Sequence, residues 1–318
     1  MENRQINFFK SKDISTVLKP FKKGTVVKID SFDKRESRKE LNIGLYGWYA
    51  ICPSIELKKD SLYYFSLYDE PLVLYRDENE NIRCIKNICP HRGASFFGGS
   101  VSNGIITCPY HGAKFTSGGS CQNLDQITCS HIVDNNYDNY AKRIHLSQYK
   151  ALEKDGYIFV HLSEKSETDL NHISENSKIS NYQLSDNGFS HEDYVSEEVL
   201  VDFKCDWSRI IENHLDILHI FWVHGDTIPD KDVNKNVLVS FNQKININPK
   251  YIESIYYYKN DPTKEFIRIK YIPPGRILIY KGEPSLSRYL QVLDHIPLGN
   301  NKARVIVRHY RKFLQNKL

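Results

Sequence analysis

The chain has 318 residues, 40% hydrophobic and 26% charged, with a formal net charge of +4. That length allows two domains of ordinary size, and the charge is spread too evenly to make the basic field of a nucleic-acid binder. No apolar run reaches the ~18 residues of a membrane-crossing helix, and the opening MENRQINFFKSKD has no apolar signal core.

Residues 1–42 are polar and rich in lysine, with Lys19, Lys22, Lys23, Lys28, Lys34, Arg35, Arg38 and Lys39 set among acids. They read as a solvated N-terminal arm in preference to a contact for a membrane or an acidic partner. From residue 43 the pattern changes to short strands at 47–52, 61–66, 71–76 and 82–88, with a turn at Asp77–Asn81. Further strands at 144–149 and 156–162 close an antiparallel β domain over 43–163. Residues 164–190 are dense in Ser, Asn, Asp and Glu and read as a connection, with His172 and His191 as solvated side chains. In 191–318 a strand over 194–204 precedes a helix that starts with Asp206 as N-cap and runs to about Val223. Strands follow at 237–248, 251–259, 265–272, 276–281, 288–296 and 303–311. The fold class expected is α+β: an N-terminal antiparallel β domain, then a helix on an antiparallel sheet. The 21 Tyr and 15 Phe suit β-rich cores better than one large apolar pocket.

Within the first domain, Cys89-Pro90-His91 and Cys108-Pro109-Tyr110-His111 place a thiol and an imidazole on each of two tight loops, sixteen residues lying between His91 and Cys108. Two thiolates and two imidazoles suit a tetrahedral zinc, and they also suit a [2Fe-2S] cluster with sulfur on one iron and nitrogen on the other, the reading that the loop chemistry favours. Gly93 and Gly112 follow the loops, where a backbone wrapping a cluster needs unusual φ values, and Pro90 and Pro109 stiffen them. Five cysteines remain, Cys52, Cys84, Cys121, Cys129 and Cys205. An odd remainder argues against a disulfide framework and for a reducing compartment, so a cytoplasmic location is expected.

CPHRGASF followed by CPYHGAKF resembles the cluster motif of the Rieske non-haem iron oxygenases. The resemblance implies that Cys89 and Cys108 hold one iron of a [2Fe-2S] cluster and His91 and His111 the other. Respiratory Rieske proteins are a poorer match, since they carry an additional cysteine in each loop. The chain departs from the oxygenase pattern at Ala113, where that family usually has Trp.

In the helix of the second domain, Asn213, Asp216, His219 and His224 follow one another at spacings of three, three and five. The first three share one face of a regular helix, while His224 lies about 140° around from His219, so a common metal requires a helix irregularity. Two imidazoles and a carboxylate suit ferrous iron with positions left open. N-x-x-D-x-x-H-x4-H resembles the mononuclear-iron motif of the same family. By that resemblance His219 and His224 are iron ligands and Asp216 bridges to a cluster histidine of the next subunit in a head-to-tail homotrimer. Asn213 falls near the iron, and His214 faces elsewhere as a structural residue.

The family's third ligand is a late carboxylate, and none occurs in 312–318, so truncation of a longer gene product is the first expectation. Asp294, beside a turn, is a weak substitute and reads as a surface acid. The resemblance covers about 44–311 and implies an oxygenase component fed by a reductase or ferredoxin, hydroxylating or demethylating an apolar or aromatic substrate with dioxygen. It lies closer to the small monooxygenase, demethylase and tetrapyrrole-oxygenase branch than to the large ring-hydroxylating dioxygenases. The alternative is a Rieske electron carrier with a non-catalytic second domain.

Overall fold

The computed structural model describes residues 47–123, 143–162, 194–223, 242–248, 251–258, 261–284, 287 and 289–312. The arm, the connection, Cys129, His172, His191 and His224 lie outside the described residues. The described chain is built mostly of antiparallel sheets with few helices.

The N-terminal strands are β1 (Gly47–Pro53), β2 (Tyr63–Leu67), β3 (Glu70–Arg76), β4 (Ile82–Lys86), β5 (Ser100–Ser102), β6 (Ile105–Thr107), β7 (Lys114–Phe115), β8 (Cys121–Asn123), β9 (Gln148–Tyr149), β10 (Ala151–Lys154) and β11 (Tyr157–Leu162). They form sheets in the orders β1-β11-β10, β2-β3-β4-β9 and β5-β6-β7-β8. The strand expected over 144–149 shrinks to Gln148–Tyr149, with one isolated bridge between Ser120 and His145. Ile144 and Leu146 are instead buried against the cluster loops. The turn at Asp77 is held as its residue types suggest: the buried carboxylate accepts from the N–H groups of Asn79 and Asn81, both at 2.9 Å, and from Arg83.

The second segment comprises β12 (Val195–Phe203), α1 (Trp207–Leu215), α2 (Leu218–Val223), β13 (Asn242–Asn248), β14 (Tyr251–Tyr258), β15 (Asp261–Ile272), β16 (Arg276–Tyr280), β17 (Tyr289–Gly299) and β18 (Lys302–Arg311). Its strands form one seven-stranded antiparallel sheet, β12-β18-β17-β16-β15-β14-β13.

Strand alternation explains how these pieces stack. In β3, Leu72 and Leu74 point to one core while Val73 and Tyr75 point to another, and all four are fully buried. The second of these cores surrounds the cluster loops. The first is shared with the seven-stranded sheet, through Leu278, Tyr280, Leu290, Val292 and Ile306. On the opposite face of that sheet, Ile277, Leu293 and Val305 pack with Ile210 and Ile211 of α1 and with Ile217. The seven-stranded sheet is thus apolar on both faces, with the β domain on one side and the short helices on the other.

Asp294 is a finding against expectation. It sits in β17 at 3% exposure and is no surface acid. Arg276 contacts it with Nε at 2.6 Å and Nη2 at 2.9 Å, and Arg308 closes on the same carboxylate. Burial alone would raise its pKa, but the two guanidiniums hold it below the usual carboxylate range. The arginines stack in turn on aromatic rings of β11, Arg308 on Tyr157 at 3.8 Å and Arg276 on Phe159 at 5.5 Å. Its oxygens are committed to this ion triad, which removes Asp294 as a metal ligand.

Candidate metal centres

The two cysteine loops differ in length between their ligands yet close in the same way. Cys89 N–H donates to Ala94 O at 2.7 Å and Gly93 N–H donates to Cys89 O at 2.8 Å. In the second loop Cys108 N–H donates to Ala113 O at 2.8 Å and Gly112 N–H to Cys108 O at 3.0 Å. Gly93 and Gly112 take φ of +72° and +71°, the left-handed conformation that the loop closure demands. The first loop follows β4 and the second joins β6 to β7, so short paired strands fix both. Phe96 N–H donates to Asn87 Oδ1 at 2.8 Å and pins the return of the first loop.

This closure buries both sulfurs and leaves both imidazoles toward the surface. Cys89 and Cys108 are buried, and their side chains lie within hydrogen-bonding reach of each other. Burial, together with Cys108, pushes the Cys89 thiol up to about 12, although the backbone N–H groups of His91 and Arg92 oppose this. His91 and His111 are half-buried, with ring centroids 5.1 Å apart at 75°. The His91 imidazole is held neutral by burial and then by His111 and Arg92. Two buried cysteine sulfurs and two half-buried imidazoles are a donor set that suits a [2Fe-2S] cluster with two ligands per iron. Ala113 is fully buried in the cluster core, so the small side chain there is packed.

The second set of residues sits at a break in the helix. One helix was expected to about Val223; instead α1 ends at Leu215 and α2 begins at Leu218. Asp206 caps the start of α1 as expected, accepting from Ser208 N–H at 2.9 Å. Asp216 makes the break: its N–H closes α1 on Glu212 O at 3.1 Å, its backbone is extended, and its carboxylate accepts from Leu218 N–H at 2.9 Å. Asn213, Asp216 and His219 therefore do not lie along one regular helix face. This irregularity falls before His219; the expectation placed one between His219 and His224, and His224 lies outside the described residues.

His219 gains an anchor from this break. Its Nδ1 lies 2.5 Å from Asp216 O, a carbonyl that can only accept, so Nδ1 carries the proton and Nε2 keeps its lone pair. A metal-binding histidine needs that tautomer. Asn213 and Asp216 are exposed. His214, expected to be structural, bonds through Nδ1 to His295 Nε2 on β17 at 2.8 Å. Nothing local in the sequence links those two histidines, 81 residues apart.

Comparisons with known proteins agree with this reading. Residues 47–149 match the family described as "Rieske [2Fe-2S] domain", and residues 203–287 match "Vanillate O-demethylase oxygenase C-terminal domain". The chain is 29% identical over 193 residues to chlorophyllide a oxygenase of Chlamydomonas reinhardtii, covering 60% of this chain and 26% of that protein. It is 26% identical over 180 residues to the oxygenase component of dicamba O-demethylase of Stenotrophomonas maltophilia, covering 56% of this chain and 46% of that one. The alignments thus span about a quarter to a half of the length of these curated relatives. Among solved structures, dicamba monooxygenase bound to 3,6-dichlorosalicylic acid superposes with a TM-score of 0.63 at 18% identity, covering 84% of this chain and 78% of that one. NdmA of Pseudomonas putida CBB5 gives 0.63 at 17%, covering 86% and 75%. Both segments are matched in chain order, so the chain carries a Rieske [2Fe-2S] type of domain followed by a vanillate O-demethylase type of oxygenase C-terminal domain, and it is similar to Rieske non-haem iron oxygenases.

Proposed function

We propose that this chain is the oxygenase component of a two- or three-component system that takes electrons from a reductase or ferredoxin and hydroxylates or oxidatively demethylates an apolar or aromatic small molecule. When bound, the cluster supplies electrons one at a time and the mononuclear ferrous iron supplies the centre that activates dioxygen. Cys89, Cys108, His91 and His111 hold the first; His219 and His224 hold the second, with Asn213 beside it. The helix-on-antiparallel-sheet arrangement of 191–318 is the catalytic domain in this reading, after a Rieske domain over 43–163 and a connection over 164–190. A cytoplasmic location suits the reducing chemistry; among the described residues no helix is long and apolar enough to cross a membrane.

The observation that carries the proposal is the construction at Asp216. One residue breaks the helix, caps its second half and holds His219 through Nδ1. A domain that served only for docking would have no use for an imidazole so prepared. The exposed Asp216 carboxylate accepts from Leu218 N–H through one oxygen, and in this reading its second oxygen takes an imidazole of a neighbouring copy. The cluster end offers a matching surface: beside the half-buried His91 and His111, Phe97 and Tyr110 are 73% and 65% exposed. Apolar side chains around a redox centre suit a head-to-tail trimer in which cluster and iron face each other across subunits.

A single-turnover experiment tests this. Protein with both sites loaded and the cluster reduced is mixed with oxygenated buffer and aromatic methyl ethers, and cluster reoxidation and formaldehyde are followed. Asp216→Asn should retain both metal sites and reoxidise at least ~10-fold more slowly. Reoxidation at the unaltered rate would remove the bridging role of Asp216.

A further inference from the structure

The helix-facing side of the seven-stranded sheet is apolar where α1 covers it, through Ile277, Leu293 and Val305. Further along the same strands it turns polar. Strand pairing sets Gln291 of β17 directly across from His309 of β18, and His309 directly across from Glu197 of β12. Gln291 and His309 stand two residues from Leu293 and Val307, which pack in the core beneath α1, so their side chains share that face. Opposed side chains on one face of an antiparallel pair have Cβ atoms about 5 Å apart. The Gln291 amide and the His309 imidazole can therefore meet one small group.

The imidazole is held from its other side. Tyr289 Oη lies 2.5 Å from His309 Nδ1, and the two rings are tilted by 36° with centroids 5.8 Å apart. Burial pushes the Tyr289 hydroxyl up to about 12, so it keeps its proton. Burial lowers His309 below the usual imidazole range, with Glu197 opposing and Arg311 adding to the effect. A hydroxyl that donates to Nδ1 leaves the proton of the neutral ring on Nε2. Arg311 Nη2 donates to Glu197 Oε1 at 2.7 Å, so the acid across from His309 is answered and does not repel an incoming anion. Gln291 is half-buried, and among the described residues its amide makes no hydrogen bond and is not sealed from solvent. Apolar side chains flank the pair: Ile279 lies across from Gln291, Val307 is half-buried and Val199 is 52% exposed. Two donors side by side at the edge of a partly uncovered apolar floor suit a ligand with an apolar ring and acceptor oxygens.

We propose that Gln291 and His309 are a specificity-determining pair that binds the carboxylate of an aromatic acid. The Gln291 amide donates to one oxygen and His309 Nε2 to the other, Tyr289 positions the imidazole, and the ring of the ligand lies on Val199, Val307 and Ile279. This rests on the function proposed above and narrows its apolar or aromatic substrate to an aromatic carboxylate. His295, which bonds to His214 of α1, lies four residues from Gln291 along β17 on the same face, about 13 Å at strand spacing. The pair and the last turn of α1 thus stand at the two ends of one stretch of sheet.

The full chain with its cluster in place is titrated calorimetrically with 4-methoxybenzoate and with methoxybenzene, which lacks the carboxylate. The parent should bind the acid at least ~10-fold more tightly, as a site built to hydrogen-bond a group discriminates against an analogue without it. Equal affinity for the two, or no binding of the acid up to about 10 mM, would overturn the proposal without any variant. Gln291→Leu and His309→Phe should each cut the preference for the acid at least ~5-fold while the visible cluster spectrum and the affinity for methoxybenzene stay as they were. Tyr289→Phe should cut it by a smaller factor, again without moving methoxybenzene. A preference that survives the substitution of both Gln291 and His309 would overturn the pair. Release of formaldehyde from both compounds with equal kcat/KM would overturn the pair and leave the oxygenase reading standing. Preferential binding of the acid, with no dioxygen consumed when both metal sites are loaded and reduced, would leave the pair standing and overturn the oxygenase reading.

Discussion

His91 and His161 show how differently a histidine is used according to what surrounds it. His91 is half-buried beside His111 and is proposed as a cluster ligand, so His91→Ala should abolish the visible absorption of reconstituted protein; an intact spectrum would contradict its assignment. The potential of that cluster should lie near the low end of the Rieske range, about −150 mV, because the Cys89 sulfur meets backbone N–H groups and the nearby Tyr64 hydroxyl donates to Phe96 O at 2.8 Å. Protein-film voltammetry reads this directly, and a value above about +100 mV would require hydroxyl donors to the sulfurs. His161 is structural: its ring stands edge-on to Trp48 at 5.0 Å and its buried Nδ1 has no hydrogen-bond partner. Burial, and then Lys150, lower its pKa from 6.5 to about 4. Burial likewise lowers His295 to about 4. Between those values the unfolded chain binds protons that the fold excludes, so stability is level above pH 6.5 and falls as the pH drops toward 4. His161→Phe keeps the ring on Trp48 and removes the unpaired nitrogen. Urea midpoints should show it as stable as the parent or more so, by up to ~1 kcal/mol at pH 7, with a shallower loss at pH 5. A parallel loss in both proteins would show that His161 does not titrate as described.

Short-range chemistry made most of the elements readable. Strands announced themselves by alternation between Gly, Asn and Asp turns, and the Asp206 cap marked the start of α1. Asp206→Ala should cost about 1 kcal/mol in urea unfolding, as the loss of one cap hydrogen bond does. The candidate cluster ligands stand out in the sequence because both donors of each pair lie within one loop. The helix break was not, since Leu218 and His219 continue an apolar-periodic pattern through it, and only Asp216 turning its carboxylate onto Leu218 N–H interrupts the backbone. Asp294 was misread for a related reason. Its partners Arg276 and Arg308 are 18 and 14 residues distant, reached through strand pairing, so an acid near a turn looked solvated. Asp294→Asn leaves two buried guanidiniums facing a neutral amide and should destabilise the fold by about 3–5 kcal/mol. A change below about 1 kcal/mol in the unfolding free energy would mean that water already compensates the arginines.

At the scale of the molecule, the central sheet explains why two kinds of metal chemistry can reside on one chain. Its two faces alternate strictly, residue by residue, along β16, β17 and β18. Leu278, Val292, Asp294, Ile306 and Arg308 face the β domain, where the ion triad stacks on Tyr157 and Phe159. Ile277, Leu293, His295 and Val305 face the helices, where His295 reaches His214. Side-chain alternation along three strands thus ties the cluster-bearing layer to one face and the histidine-bearing helices to the other. These couplings join residues far apart in sequence, and no local pattern announces them. The seat of the β domain depends on the triad, and the orientation of His214 depends on its bond to His295.

The central claim is that this chain holds both a [2Fe-2S] cluster and a separate mononuclear iron. The ratio of iron to acid-labile sulfide in anaerobically reconstituted protein tests it most directly. A ratio of about 3:2 is predicted, two irons and two sulfides from the cluster and one iron at His219. A ratio of about 1:1, with the cluster spectrum fully developed, would contradict the account and leave an electron carrier in place of an oxygenase.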